Sequence, residues 1–360
     1  VRLRAAIVGT GRIGSSLERD PLRPRPHTHA GWYASHPDVE LAAGADVDAE
    51  ARTAFARDWF LAGHVYADYR EMLIRERPDL VSICAYAPER LEMARAAVEA
   101  GARGLWLEKA VGCSVEEGER LLRLAGDARV AVVVNHPRRQ DGQYRQVRRV
   151  IDEGGLGRLE SVHAIFSGNL IHTGTHAWEV LEGWCGAWAE VRCWPEATAA
   201  DEAPGPGPAT GWAARPAAGG TSATRHDIGG TASIRFANGT QAFVSALHKG
   251  YFIFQFDAIF SRGRIRLGNE VAAIHGTTAS RRYEGFVELE DEGRALEGEG
   301  GPPFVDVLVR SVRSGTADTA DLEAAVRALE LGVAVVQAAG VPGEAVTPAT
   351  LDASLYVRSV

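Results

Sequence analysis

Lysine is almost missing from this 360-residue chain: Lys109 and Lys249 are the only two among 39 basic residues. A coding bias that writes arginine wherever a positive charge suffices explains the rest. Under such a bias a retained lysine marks a place where arginine fails, because lysine can release its proton when buried or crowded by cations and arginine cannot. Positive charge is also short overall. The net charge of −8 excludes a protein whose affinity for nucleic acid rests on a basic face. No apolar run approaches the roughly 20 residues that span a bilayer, so no membrane partner is expected. The four cysteines (84, 113, 185 and 193) form no C-x-x-C pair, which excludes a zinc ribbon and gives no disulfide framework. A strand-like run begins within three residues of Val1, so no export signal and a cytoplasmic location are expected. With 46% apolar and 24% charged residues, the chain has enough material for ordinary cores, and its length suits two domains.

The pattern changes near residue 135. Before it, short apolar runs (Leu3–Val8, Val39–Val47, Leu80–Ala85, Leu105–Glu108 and Val130–Val134) alternate with helical patterns at Ala49–Asp58, Pro88–Ala100 and Val115–Ala125. That alternation predicts right-handed βαβ crossovers and a doubly wound parallel sheet covered on both faces. After it, alternating runs at Leu159–Ser167, Thr231–Phe236, Gln241–Leu247, Phe252–Phe260 and Arg262–Leu267 predict an open, mostly antiparallel sheet. Asn238-Gly239 marks a hairpin between two of them. Helices are expected at about 304–312 and 321–339. The expected class is therefore α/β: an N-terminal dinucleotide-binding Rossmann domain over 1–135, an α+β substrate-binding and oligomerisation domain over 136–345, and a tail over 346–360. Residues 195–225, rich in Ala, Pro, Gly and Thr without period, read as a surface insertion.

Gly9-Thr10-Gly11-Arg12-Ile13-Gly14 follows the first strand and opens a helix-like segment. Its first glycine permits a sharp turn, its second admits a pyrophosphate close to the backbone, and its third lets the following segment pack tightly. Free N–H groups at such a turn favour the phosphates. Asp46, at the end of the second strand, would accept from an adenosine ribose and repel a 2′-phosphate, favouring NAD; the competing role is a helix cap or turn residue. Arg12 would stack on adenine or meet a 2′-phosphate, which keeps NADP open. Lys109 closes Leu107-Glu108-Lys109 at a strand end, where ligands of such sheets bind. His172 and His176, four apart, admit a metal reading, but they lack the glutamate of H-E-x-x-H and a third ligand, so no metal is expected.

The order of Gly9–Gly14, Glu108-Lys109, Gly168–Glu179 (GNLIHTGTHAWE), Gly229-Gly230 and Gly263–Gly268 (GRIRLG) resembles the glucose–fructose oxidoreductase/inositol dehydrogenase/MocA family over nearly the whole chain. The resemblance implies an NAD(P)-dependent dehydrogenase acting on a sugar, inositol or related polyol. It implies a Glu-Lys-Pro motif whose lysine relays a proton, matched by Lys109, and an Asp-x-x-x-His pair matched at His176. Cofactor contacts then fall to Gly9, Gly11, Arg12, Ile13, Gly14, Asp46, Ala85, Glu108 and Lys109. Substrate contacts fall to Asn135, Arg138, His172, Thr175 and His176, with His172 among the catalytic candidates. Three departures stand out: Ala110 in place of the proline, His172 in place of the aspartate, and Ala85-Tyr86-Ala87-Pro88-Glu89-Arg90 where relatives carry Thr-Pro and, soon after, His. A non-catalytic sensor and a glycosidase that transiently oxidises its sugar are the competing functions. An open sheet face leads us to expect a homodimer or homotetramer.

Overall fold

The computed structural model describes residues 1–196, 224–247, 251–293 and 295–358. Lys249 and most of the 195–225 insertion lie outside the described residues. The first unit takes residues 1–135 and 302–326; the second takes 136–196, 222–301 and 327–360 within the described range.

In the first unit the elements run β1 (Leu3–Val8), α1 (His29–Ser35), β2 (Val39–Ala45), α2 (Ala49–Asp58), β3 (Val65–Tyr66), α3 (Tyr69–Glu76), β4 (Leu80–Ile83), α4 (Arg90–Glu99), β5 (Gly104–Leu107), α5 (Val115–Ala128) and β6 (Ala131–Val134). Helix starts are set by side chains that satisfy free N–H groups: Asp48 accepts from Glu50, Asp68 from Arg70 and Ser114 from Glu117. The six strands are parallel in the order β3-β2-β1-β4-β5-β6, so the direction of winding reverses between β1 and β4. A sheet of this order opens its ligand crevice at that reversal, beyond the strands' C-terminal ends. Every residue of β4, β5 and β6 is buried, which is why these strands read as unbroken apolar runs.

The glycine turn does not lead straight into a long helix. One tight turn and a 3₁₀ segment at Ser16–Arg19 follow it, and α1 begins only at His29. The proline-rich insert between them folds back onto Glu18, whose carboxylate accepts from the N–H groups of His27 and Thr28 and from the Thr28 hydroxyl.

The second unit contains α6 (Pro137–Gln140), α7 (Gly142–Glu153), β7 (Leu159–Ser167), α8 (Gly174–Cys185), β8 (Trp188–Pro195), β9 (Thr224–His226), β10 (Gly230–Phe236), β11 (Gln241–Leu247), β12 (Phe254–Phe260), β13 (Gly263–Gly268), β14 (Ala272–Ala279) and β15 (Val287–Asp291). Eight of these strands form one sheet, ordered β15-β14-β13-β12-β7-β11-β10-β8 and antiparallel except where β7 meets β11. One face buries Phe166, Phe254 and Phe256 with Trp178 and Trp184 of α8. Three further elements follow: α9 (Phe304–Ser314), α10 (Ala320–Ala339) and β16 (Tyr356–Arg358). Residues 346–358, expected to be a tail, are tied in: Val346 bridges Val191, and β16 pairs with β9.

Although α9 follows the second sheet in sequence, its apolar face belongs to the first. Phe304, Val305, Leu308, Val309 and Val312 join the core of β1, β4, β5 and β6. Gly104 makes room for it, since a Cβ there would meet Leu308 and Leu80 at 2.9 Å. Leu308→Ala should destabilise the protein by about 2–5 kcal/mol, because a fully buried leucine leaves a cavity. Urea denaturation followed by circular dichroism checks this; an unchanged midpoint contradicts the packing of α9.

Candidate nucleotide and alcohol site

The ends of β1 and β4 meet closely enough to exclude a side chain. Gly9 has φ +90°, and a Cβ on it would lie 2.9 Å from the Ala85 nitrogen and 3.0 Å from the Cys84 carbonyl carbon. A Cβ on Gly14 would fall on the Gly9 carbonyl oxygen, so that position too must be glycine. Gly11 differs: among the described residues no heavy atom lies within 4 Å of its would-be Cβ. Two glycines thus serve the turn's own packing, and the middle one faces open space, as a cradle for a phosphate requires.

Asp46 is tied to this turn. Its carboxylate accepts from the Thr10 N–H at 2.8 Å and from the Asp48 N–H at 3.0 Å. The cap of α2 is Asp48, so the capping role is not the one Asp46 fills. Arg52 reaches back to the carbonyls of Asp46 and Val47. Arg12 is exposed, and the Ile13 and Gly14 carbonyls receive the first N–H groups of α1.

Beneath the end of β5 lies a buried polar chain. Glu108 Oε1 accepts from His29 Nε2 at 3.2 Å and from Asn135 Nδ2 at 2.5 Å. His29 Nδ1 lies 2.9 Å from Ser82 Oγ, which lies 2.9 Å from the Tyr33 hydroxyl. His29, Ser82 and Tyr33 are at most 1% exposed, and Glu108 is 7% exposed. Burial works against a charge on Glu108, but the hydrogen bond and charge of His29, the Asn135 amide and the Lys109 ammonium outweigh it. Its carboxyl is held below the ordinary glutamate range. Lys109 itself is half-buried, and the peptide bond joining it to Ala110 is cis. Asn135, expected at the substrate, gives its amide nitrogen to Glu108.

The second unit gathers its own candidates at the start of α8. His172 lies in the turn before the helix, and Gly174, Thr175 and His176 form its first residues. His136 Nε2 is 3.2 Å from the Thr175 hydroxyl, and the His136 and His176 rings meet edge to face at 5.6 Å. Arg138 stacks on Phe254 at 3.6 Å; burial disfavours its charge, while Tyr144, Asp141 and Glu179 support it. Among the described residues no three His, Cys, Asp or Glu side chains gather as a metal site.

Two residues here escaped the sequence reading. Asp227 accepts from the N–H groups of Ile171 (2.8 Å) and His172 (2.7 Å), bringing a carboxylate to the turn that carries His172. Its only signal is its place two residues before Gly229-Gly230. Arg90 is the other: it is 2% exposed, and its guanidinium donates to the carbonyls of Ala85 and Ala110.

A first unit with this strand order, a glycine turn at the reversal and an acid at the end of β2 is a dinucleotide-binding fold. Residues 3–136 match the family model described as "Oxidoreductase family, NAD-binding Rossmann fold", GFO/IDH/MocA. Over 162 residues the chain is 26% identical to the inositol 2-dehydrogenase of Pseudomonas savastanoi pv. phaseolicola, 45% of each chain. Over 157 residues it is 26% identical to the D-glucoside 3-dehydrogenase of Escherichia coli, 44% of this chain and 41% of that one. These matches span less than half the length of the relatives. The fold extends further. The WlbA dehydrogenase of Bordetella pertussis, solved with NADH and UDP-GlcNAcA, aligns with a TM-score of 0.71 at 17% identity, over 96% of this chain and 99% of that one. The myo-inositol 2-dehydrogenase of Lactobacillus plantarum aligns with a TM-score of 0.69 at 19% identity, over 96% and 99%.

The Glu108 chain sets an acid limit on stability. A carboxyl lowered by folding contributes stability above its unfolded pKa and loses it as pH falls through the folded value. Glu108→Gln should therefore cost about 3 kcal/mol at pH 7, where the wild-type charge is paired, and progressively less below the ordinary glutamate range. Melting temperatures of both proteins from pH 7 to pH 3 test this; a gap that stays constant or widens toward acid contradicts it.

Proposed function

We propose that the chain is an NAD-dependent oxidoreductase, with NADP as the alternative cofactor, that moves a hydride between the nicotinamide and a secondary alcohol of a sugar, inositol or related polyol. One observation carries the reading: the glycine turn after β1, Asp46 after β2, Ala85 after β4 and Lys109 after β5 all stand at the C-terminal edge of the first sheet. The open space at Gly11 and the N–H groups of the turn fit a pyrophosphate. The Asp46 carboxylate suits ribose hydroxyls and opposes a 2′-phosphate, which favours NAD. The family match and the inositol and glucoside dehydrogenase relatives support the reaction class.

A bound nicotinamide supplies the hydride acceptor. The protein must then handle the proton that leaves the alcohol oxygen. Lys109 is assigned that role: a half-buried lysine can be neutral or charged as the step requires, and a cationic ring beside it favours release of its proton. Glu108, held ionised, keeps Lys109 from losing its proton too readily. We assign the substrate hydroxyl to His176, and further substrate contacts to His172, Thr175 and Arg138, with the Asn135 amide oxygen as its remaining polar group.

Lys109→Ala should lower kcat by about 100- to 10,000-fold, the usual worth of a positioned acid–base group, with NADH affinity by fluorescence within a factor of a few. Turnover across a polyol and sugar panel measures it, and equal activity in the variant removes the relay. For the partner we infer a second copy of the chain on the outer face of the second sheet, where Ile165 and Phe243 are 41% and 43% exposed beside His163, Asp257 and Arg264. Light scattering at micromolar concentration should give a dimer or tetramer, and Phe243→Glu should reduce it to a monomer. A wild-type monomer contradicts the inference.

A further inference from the structure

Arginine at position 90 is difficult to explain as a surface residue. It opens α4, is 2% exposed, and keeps a buried Nε without a hydrogen-bond partner. Removing a guanidinium from water is costly unless its geometry is well used. Burial works against its charge here, and the Glu108 and Glu117 carboxylates offset that only in part. Among the described residues no carboxylate is hydrogen-bonded to it. Its bonds go to two main-chain carbonyls, Ala85 from Nη2 at 2.7 Å and Ala110 from Nη1.

Those carbonyls lie where the sheet can no longer hold the chain together. The ladder between β4 and β5 ends at Ile83 and Leu107, with one further bond from the Glu108 N–H to the Ile83 carbonyl. Beyond it the two strand ends diverge into separate loops, one carrying Ala85 and the other Lys109 and Ala110. The planar, rigid fork of an arginine spans two acceptors at once, as a lysine ammonium on a flexible stem does not. Ala85 in turn packs on Gly9 of the phosphate turn. One guanidinium therefore fixes the lysine's loop against the cofactor side of the crevice.

We propose that Arg90 is a positioning residue for Lys109, replacing the sheet ladder beyond the ends of β4 and β5. This rests on the oxidoreductase reading for its purpose, but the link between Arg90 and Lys109 can be read without turnover. Because the chain holds only two lysines, reductive methylation with ¹³C-formaldehyde marks just Lys109, Lys249 and the N-terminus, and Lys109→Arg assigns the signal. In Arg90→Met the Lys109 resonance should move toward that of free dimethyl-lysine. The same variant should lose about 100-fold in kcat, the cost of a misplaced reacting group, with the KM for NAD changed by less than about threefold. Arg90→Lys should recover part of that loss, and Arg90→Ala should regain activity with added guanidinium.

A folded Arg90→Met protein, by melting and NADH fluorescence, whose Lys109 signal matches wild type overturns the proposal. If Arg90→Met does not fold, the same spectrum of Arg90→Gln decides it by the same criterion. A wild-type protein that transfers no hydride from any alcohol to NAD, yet shows the Arg90-dependent Lys109 signal, would sink the oxidoreductase reading and leave the positioning link standing.

Discussion

A carboxylate kept charged inside the protein is the constraint around which the first unit's crevice is arranged. Glu108 sits where β5 ends, and burial alone would neutralise it. His29 from α1 and Asn135 from just beyond β6 both donate to it, so that a helix and two strand ends meet at one anion. The next residue in the chain is Lys109. Its charge therefore answers to a fixed negative neighbour, while Arg90 ties its backbone to the loop after β4.

Much of the first unit could be read from the sequence because burial on both faces of a parallel sheet leaves a plain mark. The runs 80–85, 105–108 and 130–134 are apolar without alternation, and each ends within a residue or two of the observed strand. The hairpin at Asn238-Gly239 was equally plain, since the positive φ of Gly239 is what its turn demands. The strands β14 and β15 left no such mark: β14 is only partly buried, β15 is largely exposed, and VELED reads as polar chain. Helix α9 shows another limit. Its amphipathic period is visible, but which sheet it covers is decided by long-range packing at Gly104.

The site divides along the same line. Residues whose role is in the backbone, such as Gly9 and Gly14, are legible because glycine at a fixed offset has few other reasons to be there. Arg90 and Asp227 were not, because an arginine on an amphipathic helix and an aspartate in a loop ordinarily face water. Only the bonds they make, to main-chain carbonyls in one case and to main-chain N–H groups in the other, distinguish them. Asp227 also brings a carboxylate from another strand connection to the turn that carries His172.

The central claim is that this crevice carries out redox chemistry on an alcohol carbon. Incubating the protein with NAD and polyols or sugars deuterated at each carbinol carbon, then examining the nicotinamide by mass spectrometry, tests it most directly. The account predicts deuterium at the reduced ring, from one substrate position and dependent on Lys109. Saturable nucleotide binding with no deuterium transferred from any alcohol, even at stoichiometric protein, would contradict it.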